Sequence, residues 1–142
     1  YAVRVGGGSN HRFGLDDAIL IKDNHVDYAG GILPAIKGAN SYRKENNLDI
    51  EIEIEVRNFE ELEEVLKAGN VDRVMLDNFT PEQVKEAVDR IQGRLITEAS
   101  GGITIKTAKA YADAGVDFIS IGGLTHSVKS LDISLKAKLV NS

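Results

Sequence analysis

The stretch Gly6-Gly7-Gly8-Ser9-Asn10-His11-Arg12 is the least ordinary part of the chain. Three glycines make a pliable loop, and the amide, imidazole and guanidinium behind them offer donors suited to a planar dicarboxylate or a phosphate. A plain surface loop is the alternative. Lys22 stands where the apolar run Ala18-Ile19-Leu20-Ile21 ends, directly before Asp23-Asn24-His25. Asp77-Asn78 follows Val74-Met75-Leu76 in the same manner, where an Asx turn into Thr80 would serve as well. Glu51, Glu53 and Glu55 alternate with Ile50, Ile52, Ile54 and Val56, which puts all three carboxylates on one side of a strand. Glu55 and Asp77 together suit either a divalent cation, Mg2+ if substrate phosphates complete its shell, or hydrogen bonds to sugar hydroxyls. Ser100-Gly101-Gly102 and Gly122-Gly123 each follow an apolar run. Glycine lets backbone N–H groups approach phosphate oxygens, and a following helix adds its positive end, although tight turns also use glycine.

One unit recurs along the chain: a short apolar run, a loop, then an amphipathic stretch, which is the signature of parallel βα units. The spacing predicts strands over 18–21, 50–56, 73–76, 95–98 and 118–121. The first is expected to be buried on both faces. Helices are expected over 32–45, 60–68, 81–91 and 105–114. Asn58 and Thr80 are natural N-caps, Pro81 fits a first helical position, and Gly69 and Gly115 end their helices. A short segment lies near His126 to Lys129. Leu131, Ile133 and Leu135 alternate with polar neighbours, so residues 131–142 read as a tail, with a terminal strand leaving the domain as one form of it. The expected class is α/β, an incomplete parallel (β/α) barrel over residues 1–130 with fewer than the eight strands of a closed one. The missing strands are expected before Tyr1. In such a barrel the reactive groups sit at the carboxyl ends of strands, which selects Lys22, Glu55, Asp77, Glu98, Ser100-Gly101-Gly102 and Gly122-Gly123.

Composition narrows the function classes. The 142 residues carry 17 basic and 22 acidic side chains, a formal net charge of -5, and no cysteine. Disulfide scaffolds and cysteine-ligated zinc are therefore excluded. No apolar run approaches the roughly 20 residues of a membrane span. Wholesale binding to nucleic acid or an anionic membrane is disfavoured by the charge, whereas an anionic small molecule needs only a few cations gathered locally. No signal or transit segment is visible, so the cytoplasm is the default compartment.

Several blocks then carry a resemblance: Gly6 to Arg12, Leu20-Ile21-Lys22-Asp23-Asn24-His25, Glu53-Ile54-Glu55-Val56, Met75-Leu76-Asp77-Asn78-Phe79, Glu98-Ala99-Ser100-Gly101-Gly102, and Gly115-Val116-Asp117 through Gly122-Gly123-Leu124-Thr125-His126-Ser127. In this order they resemble the barrel domain of the quinolinate phosphoribosyltransferase family over nearly the whole chain. The resemblance implies phosphoribosyl transfer from 5-phosphoribosyl 1-diphosphate to the ring nitrogen of quinolinate. Decarboxylation then yields nicotinate mononucleotide, CO2 and diphosphate, with Mg2+ as cofactor. It assigns His11, Arg12 and Lys22 to the quinolinate carboxylates, with Lys22 also near the diphosphate. Glu55 and Asp77 would hold the ribose hydroxyls and Mg2+, directly or through water, and Ser100, Gly101, Gly102, Gly122 and His126 the 5′-phosphate. Lys22, Glu55 and Asp77 are the catalytic set. The resemblance also implies a homodimer or higher homo-oligomer, an upstream sandwich domain, an upstream Arg-Lys loop and an arginine from a partner subunit. None of these is found in the 142 residues, so the fragment alone is expected to bind quinolinate weakly. Two alternatives stay open: another phosphate-binding barrel phosphoribosyltransferase, and a non-catalytic fragment that binds a phosphorylated metabolite.

Overall fold

A computed structural model describes residues 1–138. After the single turn α1 (Ala2–Val5) and the glycine loop, the chain alternates strand and helix: β1 (Ala18–Ile21), α2 (Asp23–Ala29), α3 (Ile32–Glu45), β2 (Glu51–Val56), α4 (Phe59–Ala68), β3 (Arg73–Asp77), α5 (Pro81–Ile91), β4 (Ile96–Ser100), α6 (Ala108–Asp113), β5 (Phe118–Ile119) and α7 (Gly123–His126). All four strand pairings are parallel, and the order across the sheet is β1-β2-β3-β4-β5. Strands that never reverse their order wind one way, as in a barrel, whereas a doubly wound sheet has a switch point. The fold is an incomplete parallel (β/α) barrel.

The two faces of the sheet are chemically opposite. Ile52, Ile54, Val56, Val74, Leu76 and Ala99 are fully buried beneath the helices, where Leu62, Val65, Val84, Ala87 and Ile91 meet them. Their neighbours Glu51, Glu53, Glu55, Arg73, Met75, Asp77, Glu98 and Ser100 turn to the inner face, as strand alternation requires. Register is tied by two aspartates placed just before strands. Asp72 accepts the Ile52 N–H at 2.8 Å, and Asp117 accepts the Thr97 N–H at 2.8 Å. Each carboxylate therefore satisfies a backbone donor of the neighbouring strand that the ladder leaves open.

The helix caps follow local chemistry. The Asn58 side chain accepts the Glu61 N–H, and Thr80 forms a reciprocal capping box with Gln83 ahead of Pro81. Three expectations change. β1 is only half-buried along three of its four residues, because it lies at the sheet edge with β2 as its one partner. The Asp23 to Ala29 segment is helical rather than a loop, with Asp23 in its first turn, where a carboxylate complements the helix dipole. Residues 131–138 form no strand: Leu131, Ile133 and Leu135 are exposed, and their backbone has no ladder to join. Residues 139–142 of the expected tail lie outside the described residues. Among the described residues no helix is long and apolar enough to cross a membrane.

Ile54→Ala is expected to lower the unfolding free energy by about 2–5 kcal/mol in denaturant titrations, because it empties a fully buried site. Leu135→Ala, at a fully exposed position, is expected to change it by less than about 0.5 kcal/mol. Equal costs would contradict this account of the core.

Candidate active site

The carboxyl ends of the strands bring the expected groups together. Lys22 directly follows β1, and its backbone N–H donates to His25 Nδ1 at 2.9 Å. Glu55 projects from the same strand end of β2. Burial pushes its carboxyl above the ordinary range, the Asp77 charge adds to this, and the Lys22 ammonium opposes it. Lys22 and Asp77 thus both act on Glu55, one cation and one anion in the field of a single partly buried carboxyl. Asp77 also accepts from the Asn78 side-chain amide at 2.6 Å.

Next to this cluster the backbone is arranged for close approach. The Asn78 N–H donates to the Ser100 carbonyl at 2.9 Å, which draws the β3 loop onto the end of β4. Gly101 lies beneath it with φ +92°, and a Cβ there would come within 2.3 Å of the Asn78 side chain. Only glycine fits. Beyond it opens a cavity of about 950 Å3 lined by Ser100, Gly102, Lys106, Gly122, His126 and Lys129. The His126 ring lies against Gly122, so close that a Cβ on Gly122 would meet Nε2 at 2.7 Å. Three nitrogen-bearing side chains and a glycine-lined wall make this cavity suitable for a phosphate dianion. Lys106 and Lys129 were not among the expected phosphate residues. Lys106 falls inside the stretch expected to be helix 105–114, but α6 starts only at Ala108, which leaves Lys106 in the loop above the cavity.

The glycine loop reaches further inward. His11 Nε2 lies 2.8 Å from Glu53 Oε2 and 3.6 Å from Glu98 Oε2. Glu53 and Glu98 are 4% and 1% exposed, so both carboxylates are buried. Burial and the neighbouring Glu98 push the Glu53 carboxyl upward, against the pull of His11 and Arg73. Arg73 bridges Glu98 at 3.1 Å and Glu51 at 3.3 Å, with its guanidinium 4.6 Å from the Phe118 ring centre. Ser120 Oγ–H donates to the other Glu98 oxygen. His11, Glu53 and Glu98 have donor atoms within 4.8 Å of one another, but Arg73 already supplies the cation there. Arg12 lines an adjoining cavity of about 570 Å3 with His11, Ser120 and Gly122. The loop behind it is pinned by Asp17, which accepts the Phe13 N–H at 2.6 Å and the Gly14 N–H at 3.1 Å. Those two bonds hold the Asp17 carboxyl below its ordinary value.

The two groups of residues are neighbours. Glu53 and Glu55 are two residues apart on one face, about 7 Å along the strand. His11 therefore sits one layer deeper than the Lys22 cluster. Contact of His11 with Glu53 and Glu98 spans 42 residues of sequence in the first case, and no local spacing rule reaches that far.

Gly101→Ala is expected to destabilise the fold by about 1–3 kcal/mol, because it adds a positive φ to a collision with Asn78. Gly102→Ala, at φ +61° with open space around its Cβ position, should cost only about 1 kcal/mol. Equal melting temperatures for the two variants would contradict the packing of Asn78 over Gly101.

Comparison with known proteins gives a consistent result. Residues 1–136 match the family model for the quinolinate phosphoribosyl transferase C-terminal domain. The chain is 47% identical to the chloroplastic carboxylating nicotinate-nucleotide pyrophosphorylase of Arabidopsis thaliana, over 96% of this chain and 43% of the relative. A probable carboxylating nicotinate-nucleotide pyrophosphorylase of Bacillus subtilis is 48% identical over 99% of this chain and 47% of its own length. The solved nicotinate-nucleotide pyrophosphorylase of Francisella tularensis superposes with a TM-score of 0.82 at 46% identity, covering 91% of this chain and 44% of that one. This chain spans somewhat under half the length of these relatives. With its sheet, its glycine-lined cavity and its match over residues 1–136, the chain belongs to the quinolinate phosphoribosyltransferase family, as that family's C-terminal domain.

Proposed function

We propose that the protein carrying this domain transfers the phosphoribosyl group of 5-phosphoribosyl 1-diphosphate to quinolinate and decarboxylates the adduct. The products are nicotinate mononucleotide, CO2 and diphosphate. The observation that carries this reading is the adjacency of three environments on one sheet face. A cavity with Lys106, His126 and Lys129 suits the 5′-phosphate, the pair Glu55 and Asp77 suits the ribose, and Lys22, His11 and Arg12 suit anionic carboxylates.

In the transfer the C1–O bond to diphosphate breaks as the ring nitrogen bonds to C1. Positive charge builds on the ribose carbon and negative charge on the leaving oxygens. Glu55 and Asp77 would stabilise the oxocarbenium-like centre and hold the ribose hydroxyls. Lys22 offers a fixed cation to the leaving diphosphate or a substrate carboxylate. Cations that grip quinolinate orient its nitrogen, which removes entropy from the barrier before reaction. Decarboxylation follows because the new pyridinium accepts the electron pair left when the carbon–carboxylate bond breaks, and a proton from solvent then fills the position. No covalent bond to the protein is needed.

Mg2+ fits the same pair. Burial first and the Asp77 charge second raise the Glu55 carboxyl, and a divalent cation held by these two hard oxygen donors would relieve both. Bound between Glu55 and Asp77, it would neutralise charge on the diphosphate. The protein works as a homodimer or higher homo-oligomer in an aqueous compartment, by default the cytoplasm. Support for association comes from Phe13, Leu15 and Tyr28, large apolar side chains left 88–99% exposed.

In the complete protein, Lys22→Ala and Asp77→Asn are each expected to lower kcat/KM for nucleotide formation by about 10²–10³-fold with an unchanged circular dichroism spectrum. Chelation of divalent ions should abolish turnover, and added Mg2+ should restore it. Undiminished turnover in Lys22→Ala would contradict the proposed role of the cluster.

A further inference from the structure

The buried carboxylates Glu53 and Glu98 have no part in the reaction just described, yet four strands converge on them. Glu98 is fixed from two sides, by Ser120 directly after β5 at one oxygen and by Arg73 on β3 at the other. Arg73 is itself held by Glu51 and stacked on Phe118. Glu53 on β2 uses Oε2 for the His11 ring. The loop carrying His11 begins with three glycines and cannot by itself hold an imidazole to a fraction of an ångström, whereas groups on packed strands can. The cluster is also left incomplete: Glu53 Oε1 and Arg73 Nε are buried with no hydrogen-bond partner among the described residues. Such a cost is out of place in a network kept for stability alone. A cation site is the competing use of His11, Glu53 and Glu98, but the Arg73 guanidinium already balances Glu98.

We propose that Glu53 and Glu98 are positioning residues that grip His11 by its Nε2 edge, so that Nδ1 is the atom offered to a substrate carboxylate. This inference rests on the reaction assigned above. A ring nitrogen's role is set by what the other nitrogen bonds. With Nε2–H given to Glu53, the remaining contact of the ring is made through Nδ1, which has no partner among the described residues and donates to a carboxylate when the ring carries a proton on both nitrogens. The His11 side chain is 31% exposed, so the ring is accessible from the open side of the sheet. A carboxylate arriving there meets a ring already oriented, and Arg12 is the next residue along the same loop.

The test uses the complete protein. Glu53→Met keeps the side-chain volume and removes the acceptor, and Glu53→Gln keeps one acceptor oxygen. Glu53→Met is expected to raise KM for quinolinate about 10-fold or more, which equals about 1.4 kcal/mol or more. Its kcat and its KM for 5-phosphoribosyl 1-diphosphate should stay within about 3-fold of the parent (about 0.65 kcal/mol), and Glu53→Gln should recover most of the loss. A merely structural role would move both KM values together with the melting temperature, and that outcome overturns the proposal, as does an unchanged KM for quinolinate. Independently, nitrogen-15 spectra of histidine-labelled unsubstituted protein should show His11 protonated at Nε2, and a ring protonated at Nδ1 alone overturns it. No turnover by the unsubstituted protein would contradict the reaction, and the nitrogen spectrum alone would then decide the ring's placement.

Discussion

A strand has two faces, and in β2 they are made of opposite chemistry. Ile52, Ile54 and Val56 are fully buried under α4 and its neighbours, while Glu51, Glu53 and Glu55 face the other way. A shift of one residue would drive three carboxylates into the helix layer and three aliphatic side chains onto the inner face, so register is fixed by burial. Parallel pairing then carries the same division to β3 and β4, where Val74, Leu76 and Ala99 are buried and Arg73, Asp77, Glu98 and Ser100 are turned inward. Everything chemical in the domain stands on that inner face or on the loops at its carboxyl end.

The charge arrangement follows from this division. The net charge of -5 is unevenly spread over the inner face and its rim. The acidic floor of Glu51, Glu53 and Glu98 carries Arg73 as an internal counter-ion. Lys106, His126 and Lys129 stand around the glycine-lined cavity instead, and Lys22 opposes the Asp77 charge at Glu55. An anion is therefore drawn to the rim and kept from the floor, where two buried carboxylates would repel it.

Much of the architecture was legible because its signals are local. Strand alternation at 50–56, the Asn58 and Thr80 caps, Pro81, and the glycines after β4 each act within a few residues. The Lys22, Glu55 and Asp77 cluster was legible through one topological rule, that strand ends in a parallel barrel converge. Other features depend on contacts that no local rule reaches. The grip on His11 comes from Glu53, 42 residues away. Lys106 joins the cavity only because α6 starts later than its periodicity suggests. The seven-residue α2 is too short for a hydrophobic period to show, and the alternating residues of 131–138 make no strand because pairing, not pattern, creates one.

The domain gathers a cation-lined cavity and a pair of carboxylates at one end of its sheet, on a chain that spans somewhat under half the length of its relatives. The central claim is that this inner face couples ribose transfer to loss of a carboxylate. The most direct measurement is CO2 release from carboxyl-labelled quinolinate by the complete protein. The account predicts labelled CO2 only when 5-phosphoribosyl 1-diphosphate is present, in equal amount to the nicotinate mononucleotide formed. Nucleotide formation without CO2, or CO2 release without the phosphoribosyl donor, would contradict it.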